Sequence, residues 1–171
     1  ISTGLVGSEM CIRDRVSVGE KDPRWRGQFV GEIMAMVPEE VRTDLHLLRL
    51  GQGKVDWEKV AAAFQHAEVM LYPGVSVGFR SPPLEAMASG CPVLASMLPL
   101  HNEVLPPRCL LPATDSDQWV SAIMDVHAEW SRSGGAPRHV DDDILEIAKS
   151  SFGRAAHGSL LSEAYNLVCG R

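Results

Sequence analysis

"EVMLYPGVSVGFRSPPLEAMASGCPVLAS", residues Glu68 to Ser96, is the stretch that decides the fold. It opens with a short apolar run typical of a buried strand, EVMLYPG (Glu68–Gly74), which leads into a loop that contains glycine. A short helix is predicted from Pro82, and Gly90 closes it. The run CPVLAS (Cys91–Ser96) then predicts a second strand. A strand, a helix and a strand in this order predict part of a parallel sheet flanked by helices.

The same alternation of short apolar runs and helical stretches continues on both sides of this unit. Further strands are predicted at VSVG (Val16–Gly19), LHLLRLG (Leu45–Gly51) and CLLPA (Cys109–Ala113). Asp115 is a candidate cap for a helix whose apolar stripe consists of Trp119, Val120, Ile123, Val126 and Trp130. The C-terminal helix has its own stripe, consisting of Leu160, Leu161, Ala164, Leu167 and Val168. Together these patterns predict an α/β fold with a Rossmann-like parallel sheet flanked by helices.

Length, composition and charge narrow the class of protein. The chain has 171 residues, 45% of them hydrophobic and 22% charged, which predicts one soluble globular domain. A net charge of −6 argues against a nucleic-acid partner. No apolar run is long enough to span a bilayer, so we expect no transmembrane segment, although a peripheral membrane contact stays open. With no secretory signal pattern either, the predicted location is cytoplasmic.

The segment LVGSEMCIRDR (Leu5–Arg15) does not resemble part of a domain. Back-translated, it matches a transposase-delivered sequencing adapter read in frame. We therefore predict that residues 1–15 are an artefact and that the domain comprises residues 16–171. On this interpretation, natural sequence before Val16 is missing.

The loop between the first strand and helix of the opening stretch is a candidate anion site. Gly74 and Gly78 permit close approach of the backbone to a ligand, which suits a diphosphate. Pro82 and Pro83 lack backbone N–H groups, so the donors would come from residues 77–81. The pattern alone is weak, because many such loops contain glycine without binding anything.

Three charged side chains have two interpretations each. Glu85 lies one turn into the helix, where its carboxylate could accept hydrogen bonds from two vicinal hydroxyls, such as those of a ribose. It could equally be a surface glutamate in a helix's first turn. Arg24 and Arg26 follow the first predicted strand of the chain, VSVG (Val16–Gly19). In such a loop cations can bind a phosphate, or they can simply be solvated. The six histidines are scattered without metal-ligand spacing, so no metal site is predicted.

The loop, the helix and the two strands together are more specific for one protein family than any of them alone. Residues Glu68–Glu103 resemble the donor-binding half of retaining GT-B glycosyltransferases of the large family 4 type. The usual run there is "AD-V-x-V-x-P-S-x-x-E-G-F-G-L-P-P-L-E-A-M-A-x-G-x-P-V-V-A-S", followed by a turn and "E-V". Ser17–Val30 is similar, more loosely, to the opening of the same half, and Ser151–Val168 to its closing helix.

The resemblance implies a role for each candidate residue. In that family two Rossmann-like domains face each other, and the nucleotide sugar sits mainly on the C-terminal one. Glu85 would hold the ribose hydroxyls, while Arg24 or Arg26 would neutralise the diphosphate. Backbone N–H groups of four loop residues would line the sugar and the diphosphate, namely Gly78, Phe79, Arg80 and Ser81.

The resemblance also implies the reaction and the partners. The substrate is a nucleotide-diphosphate sugar, no metal or other cofactor is expected, and a glycosyl group passes to an acceptor hydroxyl with retention at the anomeric carbon. The acceptor site would lie on the missing N-terminal domain, so we expect the fragment to be inactive alone. No catalytic residue is assigned within this chain.

Three departures from the family pattern keep other functions open. Val77 stands where the family's first glutamate belongs, and Arg80 replaces a glycine of the loop. The interval between Gly19 and Glu68 has room for one helix–strand unit fewer than usual, so the sheet is expected to be short by one strand. One alternative is a degenerate, non-catalytic module kept for binding or interaction. Another is half of a sugar-nucleotide epimerase, which the run PPLEAMASG disfavours.

Overall fold

The computed structural model describes residues 14–18, 26–50, 57–75, 82–136 and 140–169. Within these ranges the strands are β1 (Asp14–Val18), β2 (His46–Leu50), β3 (Val69–Tyr72), β4 (Val93–Ser96) and β5 (Leu110–Leu111). The helices are α1 (Gly27–Met36), α2 (Glu39–Arg42), α3 (Trp57–His66), α4 (Pro82–Ala88), α5 (Pro99–Val104), α6 (Ser116–Arg132), α7 (Asp142–Phe152) and α8 (Arg154–Cys169). None of the helices described is both long and apolar enough to cross a bilayer.

All the strands described belong to one parallel sheet. Its order is β2-β1-β3-β4-β5, and every neighbouring pair runs parallel. Val16, for example, is paired with Leu48 on one side and with Met70 on the other. Each strand lies where the sequence pattern predicts one, so the predicted Rossmann-like α/β fold is confirmed. The expectation that the family's sheet has one strand more than this chain stays a prediction.

Helices cover both faces of the sheet, as a parallel sheet requires. The four residues of β3 are all buried and alternate between the two layers. Met70 and Tyr72 pack with residues of α3, α4 and α7. Val69 and Leu71 pack with residues of α1, α2 and α6 on the opposite face. In that second layer the rings of Phe29 and Trp119 meet edge to face, 6.0 Å apart.

The first strand begins two residues before its predicted start at Val16. Asp14 pairs with His46, and Arg15 pairs with Leu47 and Val69. Pairing of this kind uses backbone groups, so it extends along a strand whatever side chains the residues carry. Residues 1–13 lie outside the described residues, and the assignment of 1–15 to an adapter stays a prediction.

The C-terminal helix differs from the expectation of a packed face. Spacing predicts an apolar stripe on this helix, yet α8 has no buried residue. Leu160 and Leu161 are about three-fifths exposed, at 61% and 58%, and Leu167 and Val168 are more exposed still, at 84% and 85%. Periodicity reports that a helix has an apolar face, and it does not guarantee that a neighbouring element covers that face.

Candidate functional site

The strand order predicts a crevice at the carboxyl edge of the sheet. From β1 the chain goes to β2 on one side, and then returns to β3, β4 and β5 on the other. The order therefore reverses between β1 and β3, and ligands of doubly wound sheets bind outside the carboxyl ends of the strands at such a point. The segments that leave these two ends are 19–26 and 73–81. They contain six of the seven predicted site residues.

Arg26 is the described residue that closes the first of these segments, directly before α1. Its backbone is left-handed, with φ 52° and ψ 43°, a conformation that is uncommon for a residue other than glycine. The Nη1 group donates to the carbonyl of Ala113, and the guanidinium lies 4.0 Å from the ring centroid of Phe29. A carbonyl and a ring orient the cation without cancelling its charge. The side chain thus connects the start of α1 to the segment after β5 and remains a positive charge there.

Glu85 lies in the first turn of α4, where it is half-buried and lines a cavity of about 580 Å³. The cavity has apolar walls, formed by Leu84, Leu100, Val104 and Phe152 among others. Its polar side chains are those of Glu85, Lys149 and His157. The volume falls within the roughly 300–1,000 Å³ of typical small-molecule sites.

The packing of α7 against α4 places this cavity at the carboxyl edge. The backbone N–H of Asp141, before α7, donates to the carbonyl of Gly90, after α4, at 3.1 Å. The two helices therefore run in opposite directions, and the end of α7 lies beside the start of α4. Gly90, which closes α4 as predicted, has a φ of 66°, and any side chain there would clash with Val140. This close contact holds the two helices together at the far end of the cavity.

Five of the seven predicted site residues fall in segments without a described conformation. Arg24, Gly78, Phe79, Arg80 and Ser81 lie outside the described residues, as does Val77. The structure places the other two, Arg26 and Glu85, at the carboxyl edge. In the ranges that are described, no group of three His, Cys, Asp or Glu side chains could hold a metal. The expectation that no metal is needed stays a prediction.

Sequence reasoning missed a buried polar cluster at the same edge. His101 in α5 is completely buried, its Nδ1 lies 2.6 Å from the carbonyl oxygen of Ser96, and its ring meets that of Tyr72 at 5.5 Å. Burial lowers the pKa of His101 below its ordinary 6.5, and the bond to the Ser96 carbonyl opposes this effect only in part. The one sequence signal that could have identified His101 is its position just after a predicted strand end. A search for metal-ligand spacing does not detect such a residue.

Comparisons with known proteins identify the family. Residues 15–129, more than half of the chain, match the model of the family described as glycosyl transferases group 1. Over 74 residues, the chain is 35% identical to the O-antigen chain mannosyltransferase RfbU of Salmonella typhimurium (strain LT2). The aligned residues cover 43% of this chain and 21% of that protein.

Two solved structures show the same fold. Sucrose-phosphate synthase from Thermosynechococcus elongatus superposes with a TM-score of 0.72 at 21% identity, covering 92% of this chain and 46% of that one. The catalytic domain of cholesterol-α-glucosyltransferase from Helicobacter pylori gives a TM-score of 0.63 at 13% identity, covering 80% and 96%. The chain thus spans about a fifth of the mannosyltransferase and under half of the synthase.

Proposed function

Because the chain belongs to the group 1 glycosyl transferases, we propose that it is the donor-binding domain of a retaining glycosyltransferase. It would hold a nucleoside diphosphate sugar at the carboxyl edge of the sheet, around the crevice between β1 and β3. The observation that carries this proposal is the position of Glu85, a first-turn carboxylate that lines a cavity at that edge. The parent enzyme would transfer the glycosyl group to an acceptor hydroxyl with retention at the anomeric carbon.

The cavity suits the nucleoside part of such a donor. An ionised carboxylate accepts hydrogen bonds and donates none, so Glu85 can take one from each of two vicinal ribose hydroxyls. The apolar walls provided by Leu84, Leu100 and Val104 suit the flat face of a base. A diphosphate would be repelled by the carboxylate, and it would extend away from Glu85 toward the crevice.

Arg26 supports the assignment of the diphosphate to the crevice. Charge builds on the departing nucleoside diphosphate as the bond from its oxygen to the anomeric carbon breaks, while the acceptor oxygen forms the new bond and gives its proton to the departing diphosphate. A cation held in place beforehand stabilises that charge without having to reorganise. The contacts of Arg26 with Ala113 and Phe29 hold its guanidinium in this way. In the proposal, Arg24 and the backbone of residues 78–81 complete the anion site.

The remaining parts of the activity rest on the relatives. Since RfbU is described as a mannosyltransferase, a mannosyl group is the first candidate for the transferred unit. The acceptor would bind the other domain of the parent protein. For that reason we propose that this chain binds the donor but does not transfer the sugar alone.

Calorimetric titration of the full chain with UDP, GDP and ADP tests the proposal. We expect one nucleotide to bind, and Glu85→Ala to weaken that binding at least about tenfold, since it removes a charged hydrogen-bond acceptor. Glu39→Ala is the matched control, because Glu39 is also a first-turn glutamate but precedes β2, at the opposite edge of the sheet. It should leave the affinity unchanged.

Failure of a folded chain to bind any of the three nucleotides would overturn the proposal. That result would favour a degenerate module, for which Val77 is the specific sequence observation. Equal losses in Glu85→Ala and Glu39→Ala would show that the carboxylate in the cavity has no specific role in binding.

A further inference from the structure

Two buried polar side chains lie at the carboxyl end of β4. Ser96, the last residue of the strand, and His101 of α5 both have no exposed surface. The carbonyl of Ser96 can only accept, so Nδ1 of His101, 2.6 Å away, carries the hydrogen of that bond. In the neutral ring, which burial favours, this tautomer leaves Nε2 as an acceptor with its lone pair available.

Among the described residues, two polar atoms of this pair have no partner. Neither Nε2 of His101 nor Oγ of Ser96 makes a hydrogen bond in the part of the chain that the structure describes. Folded proteins seldom leave buried polar atoms unpaired, because each keeps the desolvation penalty of burial without a compensating bond. Nε2 of His101 therefore marks a place where a group that can donate a hydrogen bond would be stabilised.

The pair lies at the carboxyl edge of the sheet. The His101 ring contacts that of Tyr72, the last residue of β3, with centroids 5.5 Å apart. Just beyond the two strand ends the chain reaches solvent, since Val75 is 50% and Met97 is 52% exposed. His101 and Ser96 thus lie near the strand ends, at the edge where the donor is proposed to bind.

Resting on the proposed function, we propose that His101 is a specificity-determining residue whose Nε2 accepts a hydrogen bond from a hydroxyl of the donor's glycosyl group. Diphosphate oxygens at neutral pH have no hydrogen to donate to Nε2, so the chemistry selects the sugar over the phosphates. A buried site of this kind discriminates strongly against an analogue that lacks the hydroxyl.

Asparagine and glutamine substitutions separate the two nitrogens of His101. In His101→Asn the side-chain amide can take the place of Nδ1 and keep the bond to Ser96, while the acceptor at Nε2 is lost. His101→Gln carries an amide oxygen out to the region of Nε2. The full chain and both variants are titrated with GDP and GDP-mannose, and with UDP and UDP-glucose, and urea unfolding verifies that each variant is folded.

We expect His101→Asn to bind the nucleotide sugar at least about tenfold more weakly than the unmodified chain, as loss of a buried hydrogen bond implies. The free nucleoside diphosphate should bind equally well, and His101→Gln should recover part of the loss. Should His101→Asn not fold, the unmodified chain tests the same bond, because a nucleotide sugar that lacks the hydroxyl bound to Nε2 should bind at least about tenfold more weakly than the complete one.

Three results would overturn the inference. Equal losses for nucleotide and nucleotide sugar would make His101 a support of the strand ends only. An unchanged affinity for the sugar would mean that Nε2 holds water. If the unmodified chain binds no nucleotide, the proposed function fails and this inference fails with it. If instead it binds nucleotide and nucleotide sugar but His101→Asn weakens neither, only this inference fails.

Discussion

At the scale of single residues, burial of His101 makes the stability of the fold depend on pH. Its pKa in the folded chain lies below 6.5, because burial opposes the charged ring. The unfolded chain therefore takes up a proton at a higher pH than the folded chain does. The free energy of unfolding contributed by the neutral ring is complete above about pH 6.5 and is lost as the pH falls from there toward the folded-state pKa.

We expect the free energy of unfolding to fall from pH 7.5 to pH 5.5 more steeply in the unmodified chain than in His101→Asn. The difference between their slopes should not exceed about 1.4 kcal/mol per pH unit, the limit for one proton. Urea denaturation at three pH values measures it. Parallel pH profiles for the two proteins would show that the buried ring does not resist protonation.

His101 also illustrates what sequence can and cannot predict about the site. Glu85 and Arg26 are predictable because their positions match a family run and a strand–helix loop, and both lie at the carboxyl edge. His101 is one of six histidines without a recognisable spacing. Its partners, Tyr72 and Ser96, end two different strands, and only the pairing of β3 with β4 brings those strand ends together.

At the scale of elements, α6 begins where its sequence says it should, and its cap can be tested. Asp115 accepts a hydrogen bond from the backbone N–H of Gln118 at 3.1 Å. Asp115→Ala should lower the free energy of unfolding by about 1 kcal/mol, because one N–H of the first turn loses its partner. Asp117→Ala removes the same charge from the same turn without touching the cap, and it should cost only a few tenths of a kcal/mol. Urea denaturation of both variants compares them, and equal losses would contradict the capping role.

The elements show which sequence signals are dependable. The strands are predictable because short apolar runs between helical stretches are typical of the buried strands of an α/β chain. Trp119 and Ile123 of the α6 stripe are buried, as predicted. The stripe of α8 is exposed, because hydrophobic spacing on one helix contains no information about a covering partner. Strand ends differ from the prediction by one or two residues, since backbone pairing and not side-chain type sets them.

At the scale of the whole molecule, the order of strands matters more than any single motif. A parallel sheet that reverses its order between β1 and β3 has, at one edge, the switch point where doubly wound sheets bind ligands, and segments 19–26 and 73–81 follow these two strands in the chain. The sequence predicts the parallel sheet and the residues of these segments. It does not predict the order of the strands, because that order depends on contacts between residues far apart in the chain. Function at this edge therefore depends on which side chains of the two segments can bind a ligand.

Among these side chains, Val77 is the departure from the family pattern that most directly affects sugar binding. A glutamate in the family run stands at this position, and valine cannot form a hydrogen bond with the transferred sugar. Val77→Glu would restore a charged hydrogen bond, worth about 1.5–3 kcal/mol, or about 10- to 100-fold in affinity. We expect that gain for the nucleotide sugar and little change for the free nucleotide, measured by calorimetry on the full chain.

Val75→Glu, two residues away at a half-exposed position, adds the same charge as a control. A gain confined to Val77→Glu would indicate a donor site that has lost one contact and kept its architecture, whereas no gain, or an equal gain in the control, would contradict a sugar pocket at this loop and favour the degenerate module.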